Sequence, residues 1–203
     1  MPTCRKFFEI TGLEFVGNEL FSKNLSLWNR SSFTNRQKMF FYKFYNNTLG
    51  INVRTSHFVA NGTRLCFFCS RVGIQAGNDE TFIHLFFSCP TVRRWQENFF
   101  NHCFPELPAM TEYNKKSIWM LGYNENLFSL VVMTATLSFQ FCIWEAKLKK
   151  TIPSFHTLYQ HFYDNFRQTY NFNSDVRMSC TKINVTLCRS LLGERQVVHD
   201  GGA

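Results

Sequence analysis

Two pairs of potential metal ligands, Cys66 with Cys69 and His84 with Cys89, stand in one short segment with the spacing C-x2-C-x14-H-x4-C. Nothing else in the chain restricts its fold as tightly. A close Cys pair bends the backbone so that both thiolates reach one centre, and a His and a Cys from a separate short element complete a tetrahedron. Three thiolates and one imidazole form a soft donor set that suits zinc, an ion without redox chemistry to damage them. Gly73 and Gly77 lie in the loop between the pairs and give it room to return. Four protein ligands leave no open coordination position, so the spacing predicts one structural zinc ion rather than a hydrolytic one.

Eight cysteines and sequons at Asn24, Asn29, Asn46, Asn61 and Asn184 also fit a secreted disulfide scaffold. The start of the chain, MPTCRKFFEITG, has neither an apolar run nor a small-residue cleavage pattern. The expected setting is therefore intracellular, nuclear or cytoplasmic, where clustered Cys and His signify metal more often than disulfide. Cys4, Cys103, Cys142, Cys180 and Cys188 are dispersed, and Cys103 and Cys142 fall on apolar faces, so core packing is their expected role. His57 and His102 lack a partner at ligand spacing, and His156 and His161 read as helix-surface residues.

The expected fold is mainly α, a small helical domain built around a CCHC zinc knuckle, with a second helical subdomain. Residues 35–49 carry apolar positions at helical spacing, with Thr34 or Asn35 as N-cap and Gly50 as stop. A short helix over 52–61 ends at Asn61-Gly62, a turn-forming pair. Residues 81–88 form one or two helical turns. Pro90 then opens a helix in which Val92, Trp95, Phe99 and Cys103 share a face.

Pro105 and Pro108 forbid regular helix over 104–112. The predicted division is accordingly 1–104, with the zinc-binding core at about 35–104, then 113–188, then a frayed tail over 189–203. A long helix is expected over 125–150, and Phe155, Leu158, Phe162, Phe166 and Tyr170 repeat at helical spacing after Pro153. Residues 127–144 lack charge, but Ser129, Thr134, Thr136, Ser138 and Gln140 interrupt them. Their stripe of Leu130, Leu137, Phe141, Trp144 and Leu148 fits a helix of a soluble core rather than a membrane span. Aromatic residues reach 17%, and most of these rings need burial.

The net charge of +8 favours an anionic partner. Arg30, Arg36, Lys38, Lys43, Arg54 and Arg64 follow one another without a single Asp or Glu between 30 and 64. A second basic group, Lys147, Lys149 and Lys150, reads by default as a solvated helix face.

The segment RQKMFFYKFYNNTLGINVRTSHF, then CFFC, then ETFIHLFFSCPTVRRW, resembles the zinc-binding domain that lies C-terminal to the reverse transcriptase of LINE-type (non-LTR) retrotransposons. Glu80, Thr81, His84, Leu85, Phe86, Cys89, Pro90 and Trp95 occupy that family's motif positions, and IWEAKLKK over 143–150 is similar to its following helix. The resemblance implies that Cys66, Cys69, His84 and Cys89 carry zinc, and that the module helps a polymerase engage template RNA or target DNA. Together with the acid-free stretch it makes Arg36, Lys38, Lys43, Arg54 and Arg64 the candidate phosphate contacts, with rings among Phe40, Tyr42 and Tyr45 as candidate stacking platforms. The chain has no Asp-Asp polymerase dyad, nuclease carboxylate cluster, phosphate loop or nucleophile elbow. It is therefore expected not to be an enzyme. A docking module for the reverse transcriptase thumb and a decayed element fragment are the alternative readings.

Overall fold

Local caps and left-handed turns set several of the helix boundaries in this chain. The computed structural model describes residues 5–13, 33–60, 62–74, 78–104, 112, 115–116, 123–124, 127–128 and 130–172. Helix α1 (Arg5–Thr11) stops at Gly12, whose φ of 62° is the left-handed geometry that glycine adopts without a Cβ penalty. Helix α2 (Asn35–Tyr45) opens on Thr34 in a capping box. Gln37 N donates to Thr34 Oγ1 at 3.3 Å, and Thr34 N donates to Gln37 Oε1 at 2.8 Å. The helix closes at Tyr45 rather than running to Gly50, because Asn47 turns the backbone at φ 51°.

The helix expected over 52–61 is shorter, α3 (Asn52–Thr55) followed by a 3-10 turn at Ser56–Phe58. Gly62 closes this region tightly: a Cβ there would lie 2.5 Å from the Ser56 carbonyl oxygen. Helix α4 (Phe67–Arg71), a π-helical turn (His84–Ser88) and α5 (Pro90–Cys103) come next. Further on, Tyr123–Asn124 (β1) and Leu127–Phe128 (β2) pair antiparallel, in register Tyr123 with Phe128 and Asn124 with Leu127.

Helix α6 (Leu130–Leu148) begins after this hairpin, later than the expected 125–150. It is buried on every side from Val132 to Ile143, not along one stripe as the apolar pattern predicts. Thr134, Thr136, Ser138 and Gln140 are inside with the rest. A helix apolar around its circumference belongs in the middle of a core, and none in the described part is long and apolar enough to cross a membrane. It ends in a Schellman motif in which Lys150, at φ 53°, takes the left-handed position. There Thr151 N donates to Ala146 O at 2.9 Å and Lys150 N to Lys147 O at 3.0 Å. Ser154 then caps α7 (Phe155–Phe172) through a 3.0 Å bond from Thr157 N, so α6 and α7 form a helical hairpin.

The fold is mainly α, and aromatic rings fill its interior. Phe7 of α1 lies against Phe44, Tyr45 and Phe82 at centroid distances of 5.7, 5.1 and 5.9 Å. Phe40 of α2 meets Phe86, Phe141 and Trp144, while Phe99 of α5 meets Phe139 and Phe162. Residues on both sides of the predicted division at 104–112 thus share one buried cluster. The tail over 189–203 lies outside the described residues.

Candidate metal centre

Cys66 is the N-cap residue of α4 and Cys69 lies in that helix's first turn. The chain enters and leaves this knuckle through a small antiparallel contact between Leu65 and Asp79. Cys66 N donates to Asn78 O at 3.0 Å and Glu80 N to Arg64 O at 2.7 Å, which fixes the base of the loop. Inside it, Ser70 N and Ser70 Oγ both donate to Cys66 O, at 3.0 and 2.9 Å, and Ile74 N donates to Cys69 O at 3.0 Å. These bonds hold the two thiols on one side of a single turn.

His84 and Cys89 converge for a different reason. Five residues along an ordinary α-helix are about 140° out of line on the helix surface. Residues 84–88 instead form a π-helical turn, closed by Cys89 N donating to His84 O at 2.6 Å, and the wider turn brings the ends of H-x4-C onto one face. The helical turns expected over 81–88 are present, α-helical at 82–83 and π-helical over 84–88. Thr81 steadies the start, its Oγ1 accepting from His84 N at 3.0 Å. Cys89 in turn is the residue before α5, whose first position is Pro90, already fixed in helical φ.

All four ligand atoms lie within 4.8 Å of one another. Cys69 Sγ is 3.4 Å from His84 Nε2 and 3.5 Å from Cys89 Sγ, and Cys66 Sγ is 3.8 Å from Cys89 Sγ. The three cysteines are buried and free, and His84 is half-buried. The cluster could hold a metal ion. The Cys89 thiol beside it and its own burial push Cys66 up to about 12, and burial together with the Cys66 charge raises Cys69. Cys66 and Cys69 thus resist becoming thiolates by themselves; a cation at the centre of the cluster reverses that preference.

The sequence marked Glu80 as a motif position but not its role or its partner Lys147. Glu80 is fully buried, and its carboxylate meets the first backbone N–H of two short helices that have no side-chain cap of their own. Asn52 N donates to Oε1 at 2.9 Å and Phe67 N to Oε2 at 3.4 Å. Lys147 of α6 completes the arrangement, with Nζ 2.6 Å from Glu80 Oε1 and 3.0 Å from Gly50 O, over the Trp144 ring at 4.8 Å. Lys147 is therefore not part of a solvated face.

The candidate phosphate contacts are spread over the surface, and several are engaged. Arg36 pairs with Glu145 at 2.7 Å, Arg64 with Asp79 at 2.6 Å, and Arg54 donates to Asn47 O. Lys38 and Lys43 have no ion pair among the described residues. Of the candidate stacking rings, Phe40 and Tyr45 are core, whereas Tyr42 is exposed beside Met39. His57 is exposed and away from the cluster, and His102 packs on Phe155 and Tyr159. His161, expected at the surface, is half-buried with its ring 6.2 Å from that of Phe141.

No protein-family model, curated protein or solved structure matches the chain.

Proposed function

We propose that Cys66, Cys69, His84 and Cys89 hold one structural zinc ion, and that the chain is a zinc-stabilised nucleic-acid-binding accessory module of a non-LTR retrotransposon reverse transcriptase. The observation that carries the metal assignment is the set of separations between ligand atoms. Zinc–sulfur and zinc–nitrogen bonds of about 2.3 and 2.0–2.1 Å imply tetrahedral edges of about 3.8 Å between sulfurs and about 3.6 Å between sulfur and nitrogen. Three of the six separations, 3.4, 3.5 and 3.8 Å, sit close to those edges, all four atoms lie within 4.8 Å of one another, and a disulfide would need about 2 Å.

Engagement of RNA or DNA is supported by the outer face of α2, where Arg36, Met39, Tyr42 and Lys43 stand exposed in a stretch without acidic residues. Cations beside an exposed ring suit a phosphodiester chain with unpaired bases. Anisotropy titrations with labelled RNA and DNA at two salt concentrations test this: affinity falls steeply as salt rises. A flat response, or no binding, contradicts it.

A protein-docking role, for instance on a polymerase thumb, is favoured by Phe58, which is 87% exposed beside exposed Val59. Nuclease-resistant co-purification with a thumb-containing protein that Phe58→Ser abolishes would establish that role in place of the first.

A further inference from the structure

The two basic groups that the sequence separates by a whole domain length meet at one carboxylate. Glu145 of α6 has only 9% of its side chain exposed, and its two oxygens point to different cations. Arg36, near the start of α2, lies 2.7 Å from Oε1, while Lys149, just beyond the end of α6, lies 3.4 Å from Oε2. Both cations are open to solvent, at 66% and 64% side-chain exposure. Helix α2 reaches this place by packing Phe40 between Phe141 and Trp144 of α6. The exposed positions Met39, Tyr42 and Lys43 continue from Arg36 along the same helix face, and Lys150 follows Lys149.

From this geometry we infer that Arg36 and Lys149, which share Glu145 as counter-charge, form a phosphate-binding pair for a single-stranded nucleic acid, which then runs along α2 past Tyr42 to Lys43. The inference rests on the nucleic-acid reading above and assigns it a place. A guanidinium and an ammonium that share one counter-charge and stay about two-thirds exposed keep N–H donors accessible to a phosphodiester oxygen. Glu145 orients the pair but also holds one negative charge beneath the incoming phosphate. An amide at this position would remove that charge while leaving one carbonyl oxygen between the two cations.

Anchoring by Glu145 and use of both cations make a specific pattern of variants. The tests use the full chain with equal-length unstructured RNA and DNA oligonucleotides, by anisotropy from low to moderate salt, after metal content and helical content are matched to the parent. Arg36→Gln with Lys149→Gln removes two phosphate contacts, lowering the salt slope by about 1.4 and affinity at 0.1 M salt by roughly 25-fold. Glu145→Gln raises affinity for the same oligonucleotide. Arg94→Gln, an exposed cation on α5, loses much less than the double variant. Equal losses with RNA and DNA place the recognition on the phosphodiester backbone, and a loss with one alone assigns the pair to that nucleic acid. Parent-like affinity and slope in the double variant overturn this inference while leaving the nucleic-acid reading standing. Failure of the parent to bind either oligonucleotide overturns both.

Discussion

Lys147 Nζ lies 2.6 Å from Glu80 Oε1, and the side chains are 7% and 0% exposed. This buried pair ties the segment that carries His84 and Cys89 to helix α6, far along the chain. It also fixes α3 and α4 through the carboxylate bonds to Asn52 N and Phe67 N. Removing one partner strands the other as a buried charge, so Lys147→Met lowers unfolding stability by about 3–5 kcal/mol. Combining it with Glu80→Gln restores part of that loss, because the neutral amide no longer needs a counter-charge. Urea unfolding of the two single variants and the double variant measures the coupling; strictly additive losses would show that the pair is not a unit.

A second buried polar link joins three helices. Gln37 Nε2 donates to Asn165 Oδ1 at 3.0 Å, and Asn165 Nδ2 donates to Ser138 Oγ at 2.9 Å. Asn165→Leu leaves the Gln37 amide and Ser138 hydroxyl buried without this partner, at a cost of about 1–3 kcal/mol. The melting temperature should fall with metal content unchanged.

Cys103 and Cys142 are pushed up to about 12, the first by burial and the second by burial and the neighbouring Glu145 charge. At pH 8 the thiolate fraction of each is then roughly 10⁻⁴. Iodoacetamide should leave both unmodified in the native protein and label both in denaturant, as read by peptide mass. Rapid native labelling of either would place it outside the core described above.

Burial lowers His161 below its ordinary value of 6.5, with Asp164 and Glu145 opposing the shift and Lys149 adding to it. The unfolded chain then takes up the proton first on acidification. Stability therefore falls as pH drops through about 6.5 and levels off below the folded value. His161→Gln should flatten the part of the pH 7 to 5 stability profile that belongs to this residue, measured as the difference from the parent.

The Cys/His cluster was legible because ligand spacing is a local constraint: Cys66, Cys69, His84 and Cys89 lie close together as their intervals require. Thr34 and Pro90 were equally readable, since caps act within one turn. What depends on distant partners was not. Nothing local distinguishes Lys147, whose partner is Glu80, from Lys149, which is exposed. The length of α2 failed because Asn47 can take a left-handed φ that a propensity argument assigns to Gly50. The all-round burial of α6 was hidden by its own Thr, Ser and Gln residues, which look like an exposed face until the helices packed around them are in place. The π-helical turn had one signal, the x4 interval between His84 and Cys89, which an α-helix cannot bring to a single centre.

The most direct test is metal stoichiometry measured together with thermal unfolding before and after chelation. One zinc ion per chain is expected, lost in Cys69→Ser and His84→Ala. Its removal should lower both the helical circular-dichroism signal and the melting temperature, since binding energy in such sites is folding energy. A chain that carries no metal, or one whose melt and helical signal are unchanged when the metal is stripped, would contradict it.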